Sequence, residues 1–268
     1  MDLPPVSSLV EACAVGIASG AIGSFIILKR MALVGDALSH VALPGIALAL
    51  FYAIDPFWGV LIFLSAAAVI VWWLEGRTTL PSDALVGLLF TTSLAIGVLT
   101  IPDEELIESL FGGFPALSPF AFSVTAGLAL ASGGITIGLA RQFVFRTMTP
   151  DLAQVHGVGR WFDLFLFLLF ALIVSLGIKL VGTLLMGALT IIPASIAKNF
   201  GKSMKGYLAL SSLVGGLISV VGLLIAHTFV FLPGPSIILF GVGLFLISLV
   251  LPRSARRSML KLTLLKFR

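Results

Sequence analysis

An aspartate and a histidine stand four residues apart inside an apolar stretch of membrane-spanning length. They are Asp36 and His40, in Met31-Ala-Leu-Val-Gly-Asp-Ala-Leu-Ser-His-Val-Ala-Leu-Pro-Gly45. A charged side chain at the centre of a membrane helix costs roughly 2.5–3.5 kcal/mol or more, so such groups persist where they are paired, face a cavity or do work. Four residues is about one helical turn, which sets both side chains on one face. A carboxylate oxygen and an imidazole nitrogen make half of a site of the kind that divalent transition metals take. Pro44 has no N–H to give to the carbonyl of His40, and Gly35 and Gly45 bracket the pair and allow local distortion. Interrupted helices of this sort carry many transporter sites. A plainer role fits the same residues, in which Asp36 and His40 merely pair with each other in a protein-lined interior. The two residue types alone do not choose between these roles.

The elements that must hold this pair follow from composition. The chain has 268 residues, 59% of them hydrophobic and only 10% charged, with a mean hydropathy of +1.18. Soluble domains carry about 25% charged residues, so an all-α, polytopic helical membrane bundle is expected. Nine apolar segments are candidate spans, at residues 7–28, 32–53, 57–74, 84–101, 118–140, 161–179, 182–198, 207–228 and 235–251. The seventh is short and contains Pro193, so eight or nine crossings are expected. In the second, Asp36 and His40 lie about 6–12 Å in from its start. Met1-Asp2-Leu3-Pro4-Pro5 lacks a basic run, and no signal peptide is expected. Cys13 reads as a small packing residue.

The loops give an orientation. If the first segment runs from outside to inside, fifteen of the sixteen basic residues fall on the cytoplasmic side, with only Lys179 opposite. Asp55 and the cluster Asp103, Glu104, Glu105 and Glu108 fall outside, where they would attract cations, dock a partner or simply be solvated. The C-terminus is then cytoplasmic. The net charge of +4 is explained by these loops and the tail, and nucleic acid is not implied. The expected organisation is a membrane-spanning domain over 1–252, including a cytoplasmic loop at 141–160, and a basic tail at 253–268.

Within that loop, Thr149-Pro-Asp-Leu-Ala-Gln-Val-His-Gly157 predicts a short helix. Thr149 suits the N-cap, Pro150 the first helical position, Asp151 the positive end of the dipole and Gly157 the stop. Two turns are unstable alone, so the helix must dock on its own bundle, the membrane surface or a partner. Asp163, three residues after Arg160, suggests a surface ion pair between them. His227 ends the eighth segment on the outer side and is a weaker candidate ligand; Glu11 is expected near outer water. Gly16-x-x-x-Gly20 and Gly134-x-x-x-Gly138 allow close helix approach, read here as packing within the bundle. Gly201-Lys202-Ser203 lacks the earlier glycine and the strand context of a phosphate-binding loop, so the chain itself is not expected to bind ATP. Ser39 or Ser195 with a histidine would be needed for an intramembrane hydrolase, without a supporting nucleophile motif.

Four blocks carry a family resemblance. Leu28-Lys-Arg-Met-Ala-Leu-Val-Gly-Asp-Ala-Leu-Ser-His-Val-Ala-Leu-Pro-Gly45 resembles the signature of permease subunits of metal-ion (zinc, manganese, iron) ABC importers. Arg77–Gly87, Val181–Ala194 and Pro233–Ile238 resemble further blocks of that family in the same order. The resemblance implies a permease homodimer in the cell membrane with cytosolic ABC ATPase subunits and an extracytoplasmic metal-binding protein. It implies that Asp36 and His40 contact the ion. It also assigns ATPase coupling to the loop helix with Thr149, Pro150, Asp151, Leu152, Val155, His156 and Gly157. Many relatives have an aspartate where this chain has Phe231-Leu232, so a sparse site is expected. Sparse coordination suits an ion that must leave as well as enter. No tightly bound cofactor is expected, only a transported divalent metal ion. Asp/His ligation does not distinguish zinc, manganese and iron. A secondary metal/proton transporter is the alternative, with an intramembrane hydrolase behind it.

Overall fold

The computed structural model describes residues 4–80, 82–100, 109–112, 119–201 and 203–250. The acidic cluster at 103–108, the basic tail at 253–268 and Lys202 lie outside them. Among the described residues the regular elements are helices: α1 (Val6–Leu28), α2 (Ala32–Val41), α3 (Leu43–Phe51), α4 (Pro56–Glu75), α5 (Ser82–Thr100), α6 (Pro119–Gly138), α7 (Ala140–Met148), α8 (Pro150–Val155), α9 (Trp161–Val181), α10 (Thr183–Phe200), α11 (Met204–Phe229) and α12 (Pro233–Val250). Among the described residues seven are long and apolar enough to cross a membrane, and α6 with α7, bent by 55° at Leu139, make an eighth if the pair is counted as one span.

The second expected span is interrupted for one residue, Ala42, between α2 and α3. Pro44 has no N–H for the His40 carbonyl and Ala42 N–H bonds to the Ser39 carbonyl at 3.4 Å, but Ala42 keeps helical dihedrals and an apolar helix runs on from Gly35 to Phe51. The expected distortion at the flanking glycines is therefore displaced to Ala42. Gly45 sits in regular helix and serves close approach instead: a Cβ there would fall 2.6 Å from the Gly59 carbonyl oxygen of α4. The seventh segment shows the converse. It is expected to be short or broken, yet α10 runs for 18 residues with Pro193 inside it.

Helix α1 is the centre of the bundle. From Ala12 to Ile26 most of its side chains are buried, among them Val15, Ile22 and Phe25. Small residues make this possible. A Cβ on Gly16 or Gly20 would strike the backbone of α11 at Gly215 and Ser211, and one on Gly23 would strike Thr190 of α10. The first glycine pair thus packs inside the bundle as expected. The second does not: Gly134 and Gly138, with Gly127, meet nothing within 4 Å. Helix α9 is the second buried column, and Gly182, at φ 85°, reverses it into α10 with no intervening residue.

Near the turn between α9 and α10, Lys179, the exception to the charge rule, is 2.9 Å from the Asp55 carboxylate. Asp55 also caps α4, accepting from Phe57 N–H at 2.8 Å. Burial alone pushes this carboxyl up, but the Lys179 hydrogen bond, the Phe57 N–H and the Lys179 charge outweigh it and hold the group below its ordinary range. A lowered folded-state value means stability that is present above about pH 4 and lost as pH falls through the depressed value. The pair is 33% and 52% exposed, so its worth is below about 1 kcal/mol. Lys179→Ala should shift the melting midpoint by only a degree or so at pH 7 and reduce its decline between about pH 4 and 3. Scanning calorimetry of the two proteins across that range checks it; an unaltered acid profile would refute the role of the pair.

Candidate metal site

Helix α2 carries Asp36 and His40 into a seat formed by α1, α5, α9 and α10. Gly35 lies against Ile26, Thr190 and Phe170, at distances where a Cβ would make ordinary contact. One residue on, Asp36 lies against Gly187 of α10. A Cβ on Gly187 would fall 2.5 Å from the Asp36 Cα and 2.6 Å from its Oδ1. The carboxylate thus occupies space that only a glycine in α10 leaves open. His40, 7% exposed, packs its ring edge-to-face on Phe90 of α5 at 5.2 Å between centroids.

The polar groups around the pair are largely committed elsewhere. The Ser39 hydroxyl donates to the Gly35 carbonyl at 3.0 Å, and the Thr190 hydroxyl donates to the Gly187 carbonyl at 2.7 Å. His40 Nδ1 is buried with no hydrogen-bond partner. Asp36 and His40 make no direct hydrogen bond or ion pair with each other among the described residues, though the Asp36 charge acts on the imidazole. A buried polar nitrogen without a partner costs about 1–3 kcal/mol, and such a group calls for a reason. A half-buried carboxylate and a buried imidazole with one unpartnered nitrogen, on one helix face, are chemically suited to a cation.

They do not make a closed site. Among the described residues no three His, Cys, Asp or Glu side chains come together in a manner that could hold a metal. His227 is not brought to the pair. The packing of α10 against both α1 and α2 puts Asp36 near the level of Gly20, and Gly20 meets Ser211 of α11. His227 is sixteen residues further along α11, about 24 Å at 1.5 Å per residue. Glu11, expected near outer water, is only 3% exposed and belongs to the buried face of α1. Gly187, Thr190 and Phe90 were not candidates on sequence; the Gly-x-Leu-Leu block that contains Gly187 was the available signal.

The loop at 141–160 carries a short helix where expected. Pro150 opens α8 and Gly157, at φ 81°, follows its end, with Val158 N–H closing on the Ala153 carbonyl at 2.8 Å. Thr149 holds the cap position but its side chain does not cap; the hydroxyl donates to the Phe145 carbonyl at 3.1 Å, tying α8 back to α7. His156 Nδ1 lies 2.8 Å from the Leu152 carbonyl, and its ring meets Phe145. Only Ala153 of α8 is buried; Leu152 and Val155 are 56% and 82% exposed. The expected Arg160–Asp163 pair does not form. Arg160 lies over the Trp72 ring and donates to the Trp72 carbonyl at 2.9 Å, while Asp163 pairs with Lys29 and Arg146.

A polytopic helical bundle with an intramembrane carboxylate–imidazole pair on an interrupted helix is a membrane transport protein in form. The chain belongs to the ABC 3 transport family, whose profile matches residues 6–252. It is 33% identical over 247 residues to the manganese import system permease protein ScaB of Streptococcus gordonii, covering 90% of this chain and 89% of that one. It is 28% identical over 254 residues to the high-affinity zinc uptake system membrane protein ZnuB of Haemophilus influenzae, covering 90% and 95%. A solved structure, PsaBC from Streptococcus pneumoniae in complex with Fab, superposes with a TM-score of 0.79 at 32% identity, over 95% of this chain and 94% of that one.

Proposed function

We propose that this chain is the membrane-spanning permease subunit of an ATP-driven importer that carries a divalent transition metal ion into the cytoplasm by alternating access. The observation that carries the reading is the seat of Asp36 and His40: two ligand-type side chains on one face of α2, the carboxylate half-buried against Gly187 and the imidazole buried with Nδ1 unpartnered. Family membership and relatives named for manganese import and zinc uptake support the same substrate class. Two side-chain ligands, completed by water or backbone, hold an ion weakly enough to release it. Its remaining parts would be cytosolic ATPase subunits, an extracytoplasmic metal-binding protein and a second copy of this chain, in the cell membrane with the C-terminus cytoplasmic. The open face of α6, with Gly127, Gly134 and Gly138 in register, suits close approach of that second copy.

Helix α8 is the docking point for the ATPase in this reading. A six-residue helix with Ala153 as its one buried residue presents Leu152 and Val155 to whatever lies beneath it. The test is metal uptake into proteoliposomes. The assembled complex should take up the ion only with ATP, and the chain alone under a pH gradient should take up none. Leu152→Asp with Val155→Asp should abolish both co-purification of the ATPase and uptake, a loss of at least about tenfold, since each buried apolar anchor is worth a few kcal/mol. Gradient-driven uptake by the chain alone would instead establish the secondary transporter. The hydrolase alternative loses support at Ser39, whose hydroxyl is given to a backbone carbonyl rather than to a base.

A further inference from the structure

One carboxylate ties three elements together at the end of the bundle where α8 lies. Asp163, in the first turn of α9, accepts from Lys29 Nζ at 2.6 Å with one oxygen and from Arg146 Nε at 2.8 Å with the other. Lys29 closes α1, three residues before α2 begins. Arg146 lies in α7, and its Nη1 also donates to the carbonyl of Pro150, the first residue of α8, at 3.1 Å. A continuous run of charge-assisted hydrogen bonds therefore leads from α8 through Arg146 and Asp163 to Lys29, seven residues before Asp36.

The corner beyond Lys29 is stiff. Arg30 N–H bonds to the Ile27 carbonyl and Met31 N–H to the Ile26 carbonyl, with Arg30 left-handed at φ 61°. A displacement of Lys29 is then carried into α2 rather than absorbed in the turn. The three charged side chains are 12–14% exposed, so their attraction is less screened than that of a surface pair. They also line a cavity of about 640 Å³ with Glu75 and Arg160. Groups beside a polar cavity can hydrate and change partners, which groups in a dry core cannot do cheaply. The arrangement has the form of a link that holds in one state and can open in another.

We propose that Asp163 is a positioning residue that couples movement of α8 to α2 and so to the Asp36/His40 pair. This rests on the reading of α8 as the ATPase-docking segment. The test uses the reconstituted complex with its ATPase and metal-binding protein, with Mn²⁺ and Zn²⁺ as probes. The readouts are ions taken up per ATP hydrolysed and stimulation of hydrolysis by the metal-loaded binding protein. Asp163→Asn should keep the ATPase bound and hydrolysing while ions per ATP fall about tenfold and the stimulation disappears. Asp163→Glu should restore most of both. Arg146→Met leaves the Lys29–Asp163 pair in place and should uncouple in the same way, which decides the matter even where Asp163→Asn fails to assemble. Unchanged ions per ATP in Arg146→Met overturns the proposal and leaves the permease reading intact. Loss of ATPase binding in Arg146→Met also overturns it, by making the triad structural. Wild-type hydrolysis with no uptake of either ion would overturn the permease reading itself, and the proposal with it.

Discussion

Replacing Asp36 or His40 with alanine is expected to lower metal uptake by the ATPase-containing complex at least about 100-fold, since even outer-shell changes at metal sites cost 10–100-fold. The structure makes the effect separable from folding. Asp36 forms no hydrogen bond or ion pair among the described residues, and His40 Nδ1 is unpartnered, so neither replacement removes a direct polar contact that holds the bundle. What His40→Ala does remove is the ring contact with Phe90. The folded complex should therefore assemble, bind its ATPase and fail to pass the ion. His227→Ala, about 24 Å away along α11, should retain more than half of wild-type uptake. Radiometal uptake into proteoliposomes, with size-exclusion profiles as the folding control, measures all three. Undiminished uptake in both Asp36→Ala and His40→Ala would sink the site.

The second large effect is expected at a residue with no chemistry of its own. Gly187→Leu puts a branched side chain where α10 already touches the Asp36 backbone; its Cβ alone would lie 2.5 Å from Cα and 3.0 Å from Cβ of that residue. Backbone cannot step aside as the tip of a side chain can. Overpacking of this kind costs about 1–3 kcal/mol or more. Relief comes by pushing α2 off α10, which misplaces the carboxylate, so uptake should fall at least about tenfold, as misplacement of a functional group commonly does. Gly134→Leu is the matched control. It meets nothing within 4 Å in its own chain and should leave the monomer's melting midpoint near wild type, its effect falling on association of two copies. Thermal melting in detergent beside the uptake assay separates the two. Wild-type melting and uptake in Gly187→Leu would refute the seat of Asp36.

Much of the architecture was legible because the bilayer admits few solutions. Spanning segments must be long, apolar and helical. The errors came where context overrode a local rule. Pro44 and Pro193 are the same residue type, yet α2 and α3 separate near the first and α10 continues through the second. Proline removes one donor in both cases; whether the helix survives depends on neighbours that support the freed carbonyl, and those are distant in sequence. The two glycine pairs divided likewise, one facing Gly215 and Ser211 across a helix interface and the other facing nothing in the chain.

By itself the sequence determined that this is a helical membrane protein and that Asp36 and His40 share a face. Those are consequences of composition and of a four-residue spacing. Only the tertiary structure decided what the pair faces: a glycine in α10 that leaves room for the carboxylate, Phe90 against the imidazole, and no mutual ion pair. Only it took Asp163 from Arg160 and gave it to Lys29 and Arg146, across separations of 134 and 17 residues. The physical reason is the range of the rules. Periodicity and charge asymmetry act within a helix or a loop, whereas the partner of a buried charge is set by which helices the packing of small residues brings together.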